Sequence, residues 1–268
     1  MKLSTYLFLG LVVISLSSCR SGGGGDDSGD GGEQPLLTNA CSVIGLSTRV
    51  INGTPCSDQN SPVVRVGISS LEGEFACSGT LITSTHVLTA AHCFLQKTNA
   101  HASITFNGTT ITGAATVHPS AAIITDGDEV RVDNDVAIIH LSRAVNGPTL
   151  PILVSQSINS GDVFSIYGYG LDENGALNVL RSGQSRVDSV TSQHISANFQ
   201  GDGSNSCNGD SGGPAVLTNS SNQPGIIGVV SSGSVISCGV GDHSLYANVT
   251  SSSALNFIQS AAPGVNLL

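Results

Sequence analysis

Short β-branched and apolar runs, each closed by Gly, Ser, Asn or Asp, recur along most of the chain and constrain its fold more than any other feature. They occupy 63–68, 79–88, 103–111, 136–141, 163–169, 225–230 and 245–249. Strand-length runs with no helices alternating between them speak against a parallel doubly wound sheet and for sandwich or barrel patterning. The one persuasive helical stretch is 253–259, with serine as its cap and Pro263 beyond. The part of the chain from position 50 onward is long enough for one large all-β domain or two small barrels sharing a core.

One serine stands among glycines in Cys207-Asn208-Gly209-Asp210-Ser211-Gly212-Gly213-Pro214, a density that a closely approached backbone requires. A serine hydroxyl becomes a nucleophile when a base takes its proton and nearby amides receive the oxyanion. The base candidate is His92, in Val87-Leu88-Thr89-Ala90-Ala91-His92-Cys93, where a β-branched run ends in small residues that leave space around an imidazole. Six other histidines (His86, His101, His118, His140, His194 and His243) show why one histidine alone proves little. An acid to orient the imidazole is offered by Asp135, which opens the apolar run Val136-Ala137-Ile138-Ile139. A strand-end aspartate and a Gly-Asp-Ser-Gly-Gly turn are each ordinary. Their occurrence together, in this order and with cysteines flanking two of them, makes coincidence improbable.

The three segments together resemble the trypsin-like, chymotrypsin-fold serine proteases over residues 50–268. The resemblance implies an all-β fold of two six-stranded antiparallel Greek-key β-barrels with a short C-terminal helix. His92 and Asp135 would come from the first barrel and Ser211 from the second. By the same resemblance, Ser211 is the nucleophile, His92 its base, Asp135 the group that holds the imidazole tautomer, and the Gly209 and Ser211 amides the oxyanion hole. Ser231 matches the family's serine that hydrogen-bonds the buried aspartate. The expected partners are protein or peptide substrates, with no cofactor, no metal, no nucleic acid and a monomeric state. A binding or adhesion protein that keeps the scaffold is the alternative, since fold alone does not fix function.

Asp210 raises a separate question, because a carboxylate that becomes buried needs a cationic partner. The family supplies one as a new α-amino group made by proteolysis, and Arg49-Val50-Ile51-Asn52-Gly53 resembles that activation site. Cleavage after Arg49, by another protease or by the chain itself, would free the Val50 amine to pair with Asp210. An ordinary surface arginine before a strand is the other reading. If cleavage occurs, residues 41–49 are a propeptide and the chain is a zymogen.

Seven cysteines and a charged content of only 10% suggest an exported protein with disulfides. Spacing alone does not fix the pairing. The resemblance implies Cys77 with Cys93 and Cys207 with Cys238, and two of the family's other bridges are missing. Cys41 with Cys56 is then the expected third pair, with a free or intermolecular Cys41 as the alternative, and Cys19 is unpaired. Cys19 follows Lys2, the apolar stretch 6–14 and Leu16-Ser17-Ser18, a pattern that resembles the bacterial lipoprotein signal. A conventional signal-peptidase site is the alternative. On the lipoprotein reading, residues 1–18 are removed and lipidated Cys19 anchors the chain in the cell envelope. Arg20 directs it to the outer membrane by resemblance to Gram-negative sorting rules. Residues 19–40, rich in Gly and Asp, form a flexible tether.

The substrate pocket is where the resemblance weakens. Six residues before the nucleophile the trypsin branch has Asp, and this chain has Asn205. Gly233 leaves one pocket wall open, Ser206 and Ser244 add polar surface, and Ser232 stands where the family usually has an aromatic residue. With Asp202 and Asp242 read as solvated loop residues, the expectation is cleavage after a neutral or small polar residue. The net charge of −10 includes Asp26, Asp27, Asp30 and Glu33 of the tether, and no basic cluster points to nucleic acid. Asp126-Gly127-Asp128-Glu129 reads as a solvated turn rather than a calcium site.

Overall fold

Asn107 and Gly108 show how local chemistry partitions the β-rich chain. Both adopt positive φ, 47° and 73°, the requirement of a tight hairpin turn that Asn-Gly meets at little cost. The apolar run 103–111 is therefore two strands rather than one. In the same way the run 79–88 is broken by the polar Thr83-Ser84-Thr85. A computed structural model describes residues 40–46, 55–126, 129–172, 175–234 and 238–268, all within one compact unit, Pro35–Leu268. Cys19, the Gly/Asp-rich segment up to residue 39, Arg49, Val50 and the centre of the acidic loop at 127–128 lie outside the described residues.

The first half contains β1 (Val63–Ser70), β2 (Gly73–Leu81), β3 (His86–Thr89), β4 (His101–Phe106), β5 (Thr109–Val117), the hairpin β6 (Ala122–Asp126) and β7 (Glu129–Asp133), and β8 (Ala137–Leu141). Six of these strands close into an antiparallel barrel in the order β1-β2-β3-β8-β5-β4, sealed by pairing of Arg65 with Thr105 through Ser69 with His101. Val66, Ile68, Leu88, Ile104, Ile138 and Ile139 fill it. Each fully buried aliphatic side chain contributes about 1.5–3 kcal/mol.

The second half holds β9 (Val163–Gly168), β10 (Arg181–Arg186), β11 (Ser189–Val190), β12 (His194–Asn198), β13 (Pro214–Thr218), β14 (Pro224–Gly233) and β15 (His243–Asn248). These form a curled antiparallel sheet in the order β10-β9-β13-β14-β15-β12-β11. Phe164, Ile195, Ile227 and Tyr246 pack its concave side, with Phe164 and Tyr246 edge to face at 5.0 Å. One barrel closed by hydrogen bonds and one half-barrel sheet make up the two-barrel all-β fold expected from the sequence. The helix α1 (Ser252–Ala261) follows β15. Its cap is Ser251 rather than Ser253: the Ser251 side chain accepts from the Ala254 amide, and the helix starts one turn-position earlier than its apolar pattern suggests.

The described residues before position 47 also belong to the core. A 3₁₀ turn at Cys41–Ile44 is preceded by Ala40, and both Ala40 and Cys41 are fully buried. The Tyr167 hydroxyl donates to the Ala40 carbonyl at 2.7 Å, and the Ala40 amide donates to Ser182 Oγ at 2.9 Å. A disulfide joins Cys41 to Cys56, as expected, and others join Cys77 to Cys93 and Cys207 to Cys238. No helix among the described residues is long and apolar enough to cross a membrane.

Candidate active site

His92 lies in a short 3₁₀ turn, Ala91–Cys93, that immediately follows β3, and the Cys77–Cys93 disulfide ties this turn to β2. Asp135 sits where β8 begins and is fully buried. Such a carboxylate must have its lone pairs met by donors, and three donors converge on it. The His92 amide donates to Oδ1 at 2.7 Å, His92 Nδ1 donates to Oδ2 at 2.7 Å, and Ser231 Oγ donates to Oδ2 at 2.6 Å. An Nδ1–H committed to Asp135 leaves Nε2 as the unprotonated, basic nitrogen of a neutral imidazole.

Ser231 reaches Asp135 because β14 is irregular. Val230 pairs with Tyr246 and Ser232 with Leu245, so Ser231 is the extra residue of a bulge. A bulge re-aims one side chain without ending the strand, and here it turns a hydroxyl of the second sheet onto an acid of the first barrel.

Ser211 is clamped between the two halves. Its carbonyl accepts from the Ser78 amide at 2.7 Å on the barrel side, and the next amide, Gly212, donates to Val230 at 2.9 Å on β14. Gly212 has φ +86°, and a Cβ there would overlap Thr89 Oγ1 and the Ser78 carbonyl. Both glycines after the nucleophile are thus explained by contact: a Cβ at Gly213 would overlap the Tyr167 carbonyl. Among the described residues no hydrogen bond joins Ser211 to His92. Proton transfer needs Oγ and Nε2 at about 2.6–3.2 Å, a closure that free enzymes often complete only when substrate is bound.

The amides of Gly209 and Ser211 donate no hydrogen bond among the described residues, while the Asp210 amide between them donates to the Cys207 carbonyl at 2.9 Å. Gly209, at φ +98°, turns its amide without side-chain interference. Ser78, which carries no sequence motif of its own, fixes this loop. Ser78 Oγ donates to the Gly209 carbonyl at 2.9 Å and accepts from the Tyr169 amide at 3.0 Å. A serine directly after Cys77 is the only sequence sign of that role.

Asp210 as a residue is partly buried, but its carboxyl is enclosed against Gly168 and Gly170. Oδ1 accepts from the Gly170 amide at 2.8 Å and Oδ2 from the Cys207 amide at 2.9 Å. Burial pushes its pKa up to about 6, against the opposing pull of those two amides and of Arg181. Arg181 is itself paired with Asp172 at 2.6 Å.

Beside Ser211 lies a cavity of about 200 Å³, lined among others by Ser206, Gly233, Asp242 and Ser244. Ser206 and Ser244 are buried with their hydroxyl oxygens 3.3 Å apart. Asn205 lies behind them, its Oδ1 accepting from Ser244 Oγ at 2.7 Å. Asp242 departs from the sequence expectation. It is only 2% exposed, and its Oδ2 accepts from Asn205 Nδ2 at 2.6 Å, whereas Asp202 is solvated as expected. The loop before β15 folds inward, which its composition does not disclose. Cys77, His92 and Cys93 also cluster, but both sulfurs are consumed in a disulfide and offer a metal no thiolate.

Known proteins share this arrangement at the level of sequence. A family model described as Trypsin matches residues 50–258. A chymotrypsin of Phaedon cochleariae is 29% identical over 197 residues, covering 65% of this chain and 71% of that protein. Trypsin 5G1 of Aedes aegypti is 28% identical over 224 residues, 76% of this chain and 82% of its own length. A trypsin-like protease of Streptomyces glaucescens is 28% identical over 207 residues, 69% and 73%. A match over most of the chain, on a closed barrel and half-barrel whose junction holds Ser211, His92 and Asp135, makes the chain a member of the trypsin family of serine proteases.

Proposed function

We propose that the chain is a serine endopeptidase that hydrolyses peptide bonds through an acyl-enzyme. The observation that carries this reading is the triple engagement of Asp135 by the His92 amide, His92 Nδ1 and Ser231. A buried acid held that tightly fixes the imidazole tautomer and stabilises the imidazolium that forms when Ser211 gives up its proton. Ser211 Oγ attacks the scissile carbonyl as His92 Nε2 takes the proton. The oxyanion is received by the amides of Gly209 and Ser211. His92 then donates its proton to the leaving amine, and water repeats the sequence to release the acid. The test is hydrolysis of an unfolded protein substrate by the mature chain: Ser211→Ala should abolish it, and activity that survives the substitution would remove the reading.

The finer proposal is an exported enzyme, lipid-anchored through Cys19 in the bacterial outer membrane and made as a zymogen cleaved after Arg49. Supporting the activation step, Asp210 has an enclosed carboxyl whose raised pKa an α-ammonium would reverse. Cys56 is held by its amide to Leu180 at 2.8 Å, and the adjoining Arg181 lines a cavity of about 660 Å³ together with Asp210. The six Cα–Cα steps from Val50 to Cys56 span up to about 20 Å, enough to bring a new amine into that cavity. Arg49→Gln should leave a folded and nearly inactive protein, and full activity in that variant would sink the zymogen proposal. Radiolabelled palmitate incorporated into the wild-type chain and not into Cys19→Ala would support the anchor, and equal labelling would exclude it.

A further inference from the structure

We infer that His86 and His140 form a zinc site that ties β3, the strand leading to His92, to β8, the strand that follows Asp135. The site is separate from the cavity beside Ser211, and its argument does not depend on the peptidase reading.

His86 and His140 are direct partners across antiparallel β3 and β8, so their side chains leave the sheet on the same face. Both are half-buried, whereas their neighbours Val87 and Ile139, on the opposite face, are fully buried. The two ring centres stand 5.1 Å apart with their planes at 81°. Each ring has one nitrogen anchored by threonine. His86 Nδ1 lies 2.7 Å from Thr83 Oγ1 and 3.2 Å from Thr85 Oγ1, and His140 Nε2 lies 3.0 Å from Thr116 Oγ1 on β5. Among the described residues, His86 Nε2 and His140 Nδ1 have no hydrogen-bond partner, and neither ring pairs with a carboxylate. A ring whose one N–H is given to a hydroxyl keeps a lone pair on its other nitrogen, the form in which imidazole binds a metal. Burial, and then the neighbouring His140 ring, hold the His86 pKa below the usual histidine value and so favour that neutral form.

The spacing selects among metals. A zinc ion about 2.0–2.1 Å from an imidazole nitrogen stands about 3.2 Å from that ring's centre, so two imidazoles at the tetrahedral angle have centres about 5.2 Å apart. At the right angle of a square-planar site, which suits copper(II) or nickel(II), the spacing is about 4.5 Å. The observed 5.1 Å matches the tetrahedral case. Binding then requires the two free nitrogens to turn toward one ion, with the ring centres already at the needed distance. Calcium and magnesium demand oxygen ligands, and this pair offers them no carboxylate. Water completes the zinc shell. With two protein ligands in place of the four of a closed structural site, the dissociation constant should be on the order of 10 µM. The bond would staple β3 to β8, and these strands place the base and the acid: β3 runs into the Ala91–Cys93 turn, and β8 begins at Ala137, just after Asp135.

Calorimetry of the metal-free wild-type protein with zinc chloride, and with calcium chloride as control, tests the site. Zinc should bind once per chain on the order of 10 µM, and calcium should give no binding heat. His86→Gln and His140→Gln should each weaken zinc at least about tenfold, whereas His101→Gln, at an exposed histidine on β4, should leave it unchanged. No zinc binding below about 1 mM, calcium binding as tightly, or zinc binding unaltered in both pair variants would overturn the inference. A second measurement needs no variant: zinc X-ray absorption of the one-to-one wild-type complex should show two imidazoles with oxygen ligands completing the shell. Fewer than two imidazoles would overturn the site. The staple itself is read by melting. Zinc at about 0.2 mM should raise the wild-type melting temperature by about 3–6 °C, and an unchanged melt would overturn the tie between β3 and β8.

Discussion

Asp210→Asn in the uncleaved chain should change how stability depends on pH, by an amount the structure sets. The Asp210 carboxyl is pushed from 3.8 up to about 6, chiefly by burial. A carboxyl whose pKa is higher folded than unfolded binds its proton more tightly in the folded state. Its contribution is therefore fully present below about pH 4, is lost as pH rises from 4 to 6, and is absent above. At 1.36 kcal/mol per pH unit, the gap between 3.8 and about 6 amounts to about 3 kcal/mol. Asparagine does not titrate. It does turn one acceptor into a donor facing the Gly170 or Cys207 amide, a constant cost of about 1–3 kcal/mol. Urea unfolding from pH 3.5 to pH 7.5 of Arg49→Gln, with and without Asp210→Asn, separates the slope from that offset. The two stability curves should differ in slope between pH 4 and 6, the aspartate chain losing about 3 kcal/mol relative to the asparagine chain. Parallel curves would refute the reasoning, because they would mean that the Asp210 carboxyl is not desolvated in the Arg49→Gln chain.

Ser231→Ala removes one of three donors to a fully buried carboxylate. It should cost about 1.5–3 kcal/mol of stability and lower kcat roughly tenfold with little change in KM; unchanged kcat and melting temperature would remove Ser231 from the site. Gly212→Ala should be more damaging than its size suggests, since φ is +86° and the new methyl meets Thr89 and Ser78. A loss of at least about 2 kcal/mol in urea unfolding, together with weaker fluorophosphonate labelling, is expected, and wild-type values for both would contradict the clamp on Ser211. If the chain is cut at Arg49 as proposed, the Cys41–Cys56 disulfide should hold the N-terminal piece to the domain. Electrophoresis should release that piece only with reductant, and release without it would exclude the intrachain bond in solution.

The sequence disclosed features whose chemistry is local. Gly209, Gly212 and Gly213 around Ser211 announce a tightly approached backbone, and the apolar runs behind His92 and Asp135 announce the strands that place them. Features made by distant pairing were hidden. β10, Arg-Ser-Gly-Gln-Ser-Arg, has no apolar alternation and is a strand because β9 pairs with it along its whole length. The bulge that aims Ser231 depends on how β14 meets β15, which residue types on one strand do not reveal. The serine was named through family resemblance and its mechanism came from the register. Asp242 is buried against expectation for a related reason: an aspartate in a glycine-rich loop looks solvated until the fold brings Asn205 and Ser234 to its oxygens.

On the proposed mechanism, Ser211, His92 and Asp135 act as one catalytic unit. Fluorophosphonate labelling of the mature protein, with the adduct located by mass spectrometry, tests it most directly. One adduct per chain is expected, on Ser211, at a rate that falls at least about a thousandfold in His92→Ala. An adduct elsewhere, equal labelling of His92→Ala, or no labelling of the cleaved chain would contradict it.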